Sequence, residues 1–288
     1  MNDEKLKFDP IQYKQTTLQQ WESAAEAWHR WGPLLSKWLG APTEMMLDMA
    51  GVGKGSHVLD VAAGAGDQTM VVASRVGPSG RVLATDISPS ILEFAVTRAQ
   101  EAGFDNVDTR QLDGENLTEL EVESFDAAIS RVGMIYFPDQ QRALAGMRHA
   151  LKEGGKVAAI VYSTAEKNAF FSLPVSIIRR RAKFPPPLPG QPGPFSLGGD
   201  NVLEEAFIRA GFKDVVSKVV DAPLRVESAA ECLLFEKESF GALHQMLSGL
   251  SGEEKDQAWQ EIEGRLSEFE SEDGFRGPCE LVIAVGTK

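Results

Sequence analysis

The residues best suited to chemistry are two aspartates on either side of a glycine turn. The segment VLDVAAGAGDQT (58–69) carries Asp60 at the end of an apolar run, followed by Gly64 and Gly66. A short apolar run bounded by glycines reads as a buried strand that turns into a helix. Glycines suit such a turn because a ligand can then approach the backbone, where a Cβ would block it. The helix that starts there offers free N–H groups and the positive end of its dipole. Asp86 ends the next apolar run, about 20 residues on, where a carboxylate can hydrogen-bond a ribose diol. Together these features point to a cofactor that carries a nucleoside.

The same residues restrict which cofactor. A dinucleotide fingerprint wants a third glycine where this chain has Thr69. A carboxylate at Asp60 is awkward beside a pyrophosphate and suits an ammonium group. Gly51-Val52-Gly53-Lys54 has the wrong spacing for a phosphate loop, and Gly55 follows the lysine where serine or threonine is needed. The pattern fits a cofactor with a ribose, a cationic amine and no phosphate.

Positioning these residues requires alternating strands and helices. Residues 57–61, 81–85, 106–111, 125–130 and 156–162 read as strands, with helices over 67–76, 88–99 and 139–151. Such alternation means βαβ units, a parallel sheet with helices on both faces, and a site at the carboxyl ends of the strands. Further on, residues 165–183 and 201–210 read as helices, 212–220 as a strand, 227–270 as helical and 280–286 as the last strand. Residues 14–50 read as two helices broken at Gly32-Pro33, and four of the five tryptophans lie there. The expected domains are a helical cap over 1–54 and a catalytic domain over 55–288. The latter carries a lid insertion at about 164–200, rich in proline, and a helical insertion at about 227–272.

Composition narrows the classes of function. The chain has 288 residues and a net charge of −13, a field that repels phosphate backbones and anionic membranes. Cys232 and Cys279 are the two cysteines, too few for a disulfide framework or a four-thiolate zinc site. The polar start MNDEKLKFDP has no leader character, and no stretch reaches 18 apolar residues. A cytoplasmic protein without nucleic acid, membrane span or metal is expected. Its oligomeric state is open.

The runs VLDVAAGAG, VLATDISPSILEFA, LDGENL, FDAAISRVGMIYFPD and LKEGGKV occur in that order. This series resembles the class I S-adenosylmethionine-dependent methyltransferases, closest to the branch of the quinone-biosynthesis C-methyltransferases. The match covers about residues 56–162 and the last strand. It implies a Rossmann-like α/β fold, with a seven-stranded, mostly parallel sheet and an antiparallel last strand. It also implies S-adenosylmethionine as cofactor and S-adenosylhomocysteine as product. Carried over by motif, Asp60, Ala62, Ala63, Gly64, Gly66 and Gln68 would hold the methionine part. Asp86 would bind the ribose and Ile87 would lie on the adenine. Asp113, Gly114 and Glu115 would meet the adenine amine, and Arg131, mostly through its backbone, and Met134 would line the methionine end. The chain departs from the family in having Ala62-Ala63 where Gly-Cys is often found.

The acceptor is less determined. After the fourth strand the chain reads Ser130-Arg131-Val132-Gly133-Met134, not the Asn/Asp-Pro-Pro-Tyr/Phe of amino-methylating enzymes. Two scattered cysteines do not suit arsenic methylation. A small apolar or aromatic acceptor, methylated at oxygen or carbon, is the expectation. His29 and Tyr136 are the candidate catalytic residues. Two alternatives stay open: a protein that binds the donor for regulation or other chemistry, and a nicotinamide-dependent oxidoreductase.

Overall fold

The computed structural model describes residues 8–188 and 190–288. Two long helices come first, α1 (Pro10–Arg30) and α2 (Gly32–Met49). The Asp9 carboxylate caps α1 by accepting the N–H groups of Ile11 and Gln12, with Pro10 at the first helical position. The helix therefore begins four residues before the expected start at 14.

Next come β1 (His57–Val61), α3 (Asp67–Val76), β2 (Arg81–Asp86), α4 (Pro89–Glu101), β3 (Val107–Gln111), β4 (Phe125–Arg131), α5 (Gln140–Ala150) and β5 (Leu151–Tyr162). The chain then continues through α6 (Ala169–Arg181), α7 (Val202–Arg209), β6 (Lys213–Asp221), β7 (Leu224–Val226), α8 (Ala229–Ser239), α9 (Gly241–Leu247) and α10 (Gly252–Leu266). It closes with β8 (Glu270–Ser271), β9 (Gly274–Gly277) and β10 (Glu280–Thr287).

Seven strands form one sheet in the order β3-β2-β1-β4-β5-β10-β6. The pairs from β3 to β5 are parallel, and β10 runs antiparallel to both β5 and β6. This is the α/β Rossmann-like sheet that the motif order implies. The strand order reverses between β1 and β4, so a crevice opens outside their carboxyl ends. The central strands are apolar on both faces, as sheets covered by helices on each side require: Val58, Leu59, Ala128, Ile129 and Ile160 are fully buried.

Two parts of the chain differ from the sequence expectation. The segment read as helical over 227–270 is three helices, and it leads into a second, three-stranded sheet in the order β7-β9-β8. Asp273-Gly274, with Gly274 at φ +94°, turns β8 back onto β9. Strand β5 also begins earlier than expected, at Leu151, because the glycine pair 154–155 sits within the strand as an irregularity in its pairing with β4. The proline-rich segment has no regular structure, yet it is fixed to the sheet end: Gly193 N–H and Ser196 Oγ both donate to the Ile135 carbonyl. Among the described residues, no helix is long and apolar enough to cross a membrane.

Candidate active site

The crevice at the switch point is a cleft whose floor is the turn after β1. Ala62, Gly64 and Gly66 all take left-handed backbone conformations there, with φ of +57°, +58° and +83°. At Gly66 a Cβ would lie 2.9 Å from the Ala95 Cα, so the turn needs glycine for close packing on α4 as well as for its conformation. The turn after β4 packs directly against it. A Cβ on Gly133 would come within 2.4 Å of the Ala62 Cβ.

Asp86 is nearly buried at the end of β2. One carboxylate oxygen accepts the Gly64 N–H and the other the Ser88 N–H, each at 3.0 Å. A carboxylate has about four acceptor positions, so the group can still take a donor from the cleft. Burial raises the Asp86 pKa above the ordinary carboxylate value, and the three backbone N–H groups of Ser88, Gly64 and Ile87 work against that. This cradle of small residues with an acid at its rim fits a ribose-bearing cofactor.

Ala62, Ala63, Gly64, Gln68, Asp86, Ile87, Asp113, Gly114, Arg131 and Tyr136 line the cleft together. Five other residues expected at the site do not. Asp60 is fully buried beneath the turn, where it accepts hydrogen bonds from Gln68 Nε2 at 3.0 Å and Thr69 Oγ1 at 2.7 Å. It braces the turn, and burial pushes its pKa up to about 6. Gly66 shapes the turn from outside the cleft. Glu115 faces sideways, accepting from Lys14 Nζ at 2.7 Å and from the Asp139 N–H at 2.9 Å. Met134 is fully buried in the core. His29 stacks on Phe94 of α4, with ring centroids 4.6 Å apart, away from the cleft.

The Arg131 side chain turns away into a buried ion pair, a role that the expected backbone contact does not include. The guanidinium donates to Asp67 Oδ2 at 2.7 Å and to Thr43 Oγ1 at 3.0 Å, and both partners of the ion pair are 5 % exposed. The pair ties α3 and α2 to the end of β4.

The first two helices complete the cleft. Lys14, Thr17, Trp21 and Trp28 come from α1, and Leu35 and Leu39 from α2. Lys14 Nζ bridges Asp113 at 2.6 Å and Glu115 at 2.7 Å. Glu22 accepts the hydroxyls of Ser88 and Ser90 at the start of α4. Sequence reasoning missed Lys14 and Asp67 because their partners are 99 and 64 residues away along the chain. Helical spacing in 14–50 does not by itself say whether Trp21 and Trp28 pack into the core or wall the cleft, and the structure puts both on the cleft wall. Among the described residues, no group of three or more His, Cys, Asp or Glu side chains is placed to hold a metal.

Comparison with known proteins agrees with this geometry. Over 86 % of its length the chain superposes on 98 % of the YcgJ protein of Bacillus subtilis, at 18 % identity and a TM-score of 0.57. It matches phosphoethanolamine N-methyltransferase 2 of Haemonchus contortus, solved with S-adenosyl-L-methionine, at 20 % identity and TM-score 0.52, covering 86 % of this chain and 52 % of that one. The cyclase SpnF shares the architecture over 93 % of this chain and 96 % of its own, at 18 % identity and TM-score 0.54. Identities this low establish the fold, and a cyclase among them shows that the fold alone does not fix the reaction. No curated protein matches by sequence.

A family model supplies what the fold does not. It describes the ubiE/COQ5 methyltransferase family and matches residues 38–175, which hold the glycine turn, Asp86, Asp113 and Arg131. The protein is a class I S-adenosylmethionine-dependent methyltransferase. Within that class it stands near the ubiE/COQ5 branch. Its cofactor is S-adenosylmethionine, which sets aside the nicotinamide alternative.

Proposed function

We propose that this enzyme methylates a small apolar or aromatic molecule at oxygen or carbon, in the cytoplasm. The observation that carries the reading is the cleft wall beyond the glycine turn. Trp21, Trp28, Leu35, Leu39, Val132, Tyr136 and Phe137 make it almost wholly apolar. Lys14 and Arg131 are the only cations that line the cleft among the described residues, and each is neutralised by a carboxylate. A phosphate-bearing acceptor would find no free positive charge there.

The donor contacts follow from the same lining. Asp86 takes the ribose hydroxyls, Ile87 and Leu112 flank the adenine, and Asp113 and Gly114 face its amine. Gly64 and the turn residues Ala62 and Ala63 let the methionine end lie on the backbone, with Gln68 beside it. S-adenosylmethionine supplies a methyl group already activated by its sulfonium, so the protein's main tasks are to align the acceptor and exclude water. The described part of the expected cap, 8–54, closes over the domain at 55–288, with the described residues of 164–200 as the lid; residues 1–7 and 189 lie outside the described residues. Burial keeps the Tyr136 phenol protonated well above neutral pH. It therefore acts as a hydrogen-bond donor toward the acceptor, and not as a base. His29 lies outside the cleft and serves the packing of α1 on α4.

The test is transfer of labelled methyl to a panel of simple phenols and naphthols, with phosphoethanolamine, arsenite and duplex DNA as controls. Labelling of the aromatic compounds alone is expected. Labelling of phosphoethanolamine in their place would reject the reading.

A further inference from the structure

Glu236 and Ser239 lie three residues apart on α8, so they project from one side of that helix. Both are fully buried, and neither Glu236 Oε2 nor Ser239 Oγ has a hydrogen-bond partner. The other carboxyl oxygen has only the Cys232 thiol, at 3.9 Å. Unpaired buried polar atoms are costly and uncommon, so two of them on one helix face call for an explanation. Burial holds the Glu236 carboxyl well above the usual carboxylate range. Burial thus favours the uncharged form, which has a proton to donate.

The surroundings are aromatic. Phe235 and Phe240 pack edge-on against Trp28, with ring centroids 6.5 and 5.8 Å apart. Trp28 is itself a wall of the cleft, and its indole N–H donates to the Ser239 carbonyl at 3.0 Å. Phe171 packs on Phe240 at 4.4 Å and on Tyr162 at 6.5 Å. Tyr162 ends β5 within electrostatic reach of Arg131 and Tyr136 on the cleft wall and of Glu236 behind it. The unpaired acid thus lies on the helix whose last residue, Ser239, holds Trp28 of the methyl-donor cleft through its carbonyl.

We propose that Glu236, assisted by Ser239, is the polar end of an acceptor subsite and hydrogen-bonds an oxygen substituent on an aromatic acceptor. The inference rests on the small apolar or aromatic acceptor proposed above and names the groups that recognise it. A neutral carboxyl donates to a ring carbonyl through its O–H and accepts a phenolic O–H through its C=O. The surrounding rings offer edge-on contacts to a planar ligand. One ligand oxygen would satisfy atoms that the protein leaves unpaired.

The experiment is calorimetry on the full chain saturated with S-adenosylhomocysteine. The probe is 1-naphthol, and 1-methylnaphthalene is the same shape without the oxygen. The wild type is expected to bind naphthol at least tenfold more tightly. Glu236→Leu should abolish that preference, Glu236→Gln should keep most of it, and S-adenosylhomocysteine affinity should stay within twofold in both. A naphthol preference that survives in folded Glu236→Leu would overturn the subsite, as would equal binding of both probes by the wild type. If the wild type binds neither probe, the aromatic-acceptor reading falls and takes this inference with it. If Glu236→Leu does not fold, Ser239→Ala decides: a preference reduced threefold or more supports the subsite, and an unchanged one overturns it.

Discussion

The two halves of the cleft are built in different ways. In the donor half, at the tips of β1, β2 and β3, every carboxylate is engaged. Asp60 accepts from Gln68 and Thr69, Asp86 from Gly64 and Ser88, Asp113 from Lys14 and the Glu115 N–H, and Asp67 from Arg131. In the proposed acceptor half, Trp28 packs edge-on against Phe240, and outside the cleft lining Glu236 Oε2 and Ser239 Oγ on α8 are unpaired. The donor half fixes hydrogen-bond directions through local turns. The acceptor half sets shape by packing between distant segments. A fold divided in this way can keep one donor while its acceptor changes through side chains alone.

The largest expected effect tests whether the donor half is as tightly held as it looks. Asp67→Ala strands the buried Arg131 guanidinium, and breaking such a pair costs about 3–5 kcal/mol. Urea unfolding would report the loss. A change below about 1 kcal/mol would mean that water already screens the pair.

Asp60 makes stability depend on pH. Burial raises its folded pKa to about 6 from the ordinary 3.8. The folded protein therefore holds this proton over a range where the unfolded chain has released it. The contribution is complete below about pH 4, declines as pH rises and is gone above about pH 6, spanning about 3 kcal/mol at most. Asp60→Asn should flatten this slope in unfolding curves taken from pH 4 to 7, and an unaltered slope would assign it to another group.

Asp86→Ala should weaken S-adenosylmethionine binding about 100-fold by calorimetry, as expected for two lost charge-assisted hydrogen bonds. Unchanged affinity would sink the donor-half assignment. Tyr136→Phe probes the other half. It should lower kcat/KM for the acceptor about tenfold while donor affinity stays within twofold. A loss of donor affinity instead would move Tyr136 across the divide. Lys14→Ala should have the smallest effect, because the ammonium is 28 % exposed. A fall of about threefold in donor affinity, seen mainly as faster dissociation, would show that α1 holds the cleft closed.

How far the sequence could be read follows the same division. The glycine turn, Asp86 and the alternation of strands and helices were legible because each depends on residues close in the chain. A left-handed backbone favours glycine, and a buried strand needs an apolar run. Asp60 was placed in the right turn but on the wrong side of it. Nothing local says whether a carboxylate faces the ligand or bonds back to Gln68 and Thr69. Arg131 was expected to act through its backbone, and the partners that draw its side chain inward, Asp67 and Thr43, lie far along the sequence. The second sheet was missed although Asp273-Gly274 is a hairpin signal, because the flanking strands of two and four residues are too short to show a period.

The sequence by itself determined the α/β class, a site at the carboxyl ends of the strands and the cofactor chemistry. These are fixed by backbone sterics and by hydrophobic periods of a few residues. Only the tertiary structure decided which aromatics wall the cleft, that Lys14 and Glu22 fasten α1 across it, and that Glu236 is left unpaired behind Trp28. Those outcomes depend on contacts between segments far apart in the chain, such as Trp28 with Ser239, 211 residues on. No local propensity encodes them, because their energy appears only when the whole chain has packed.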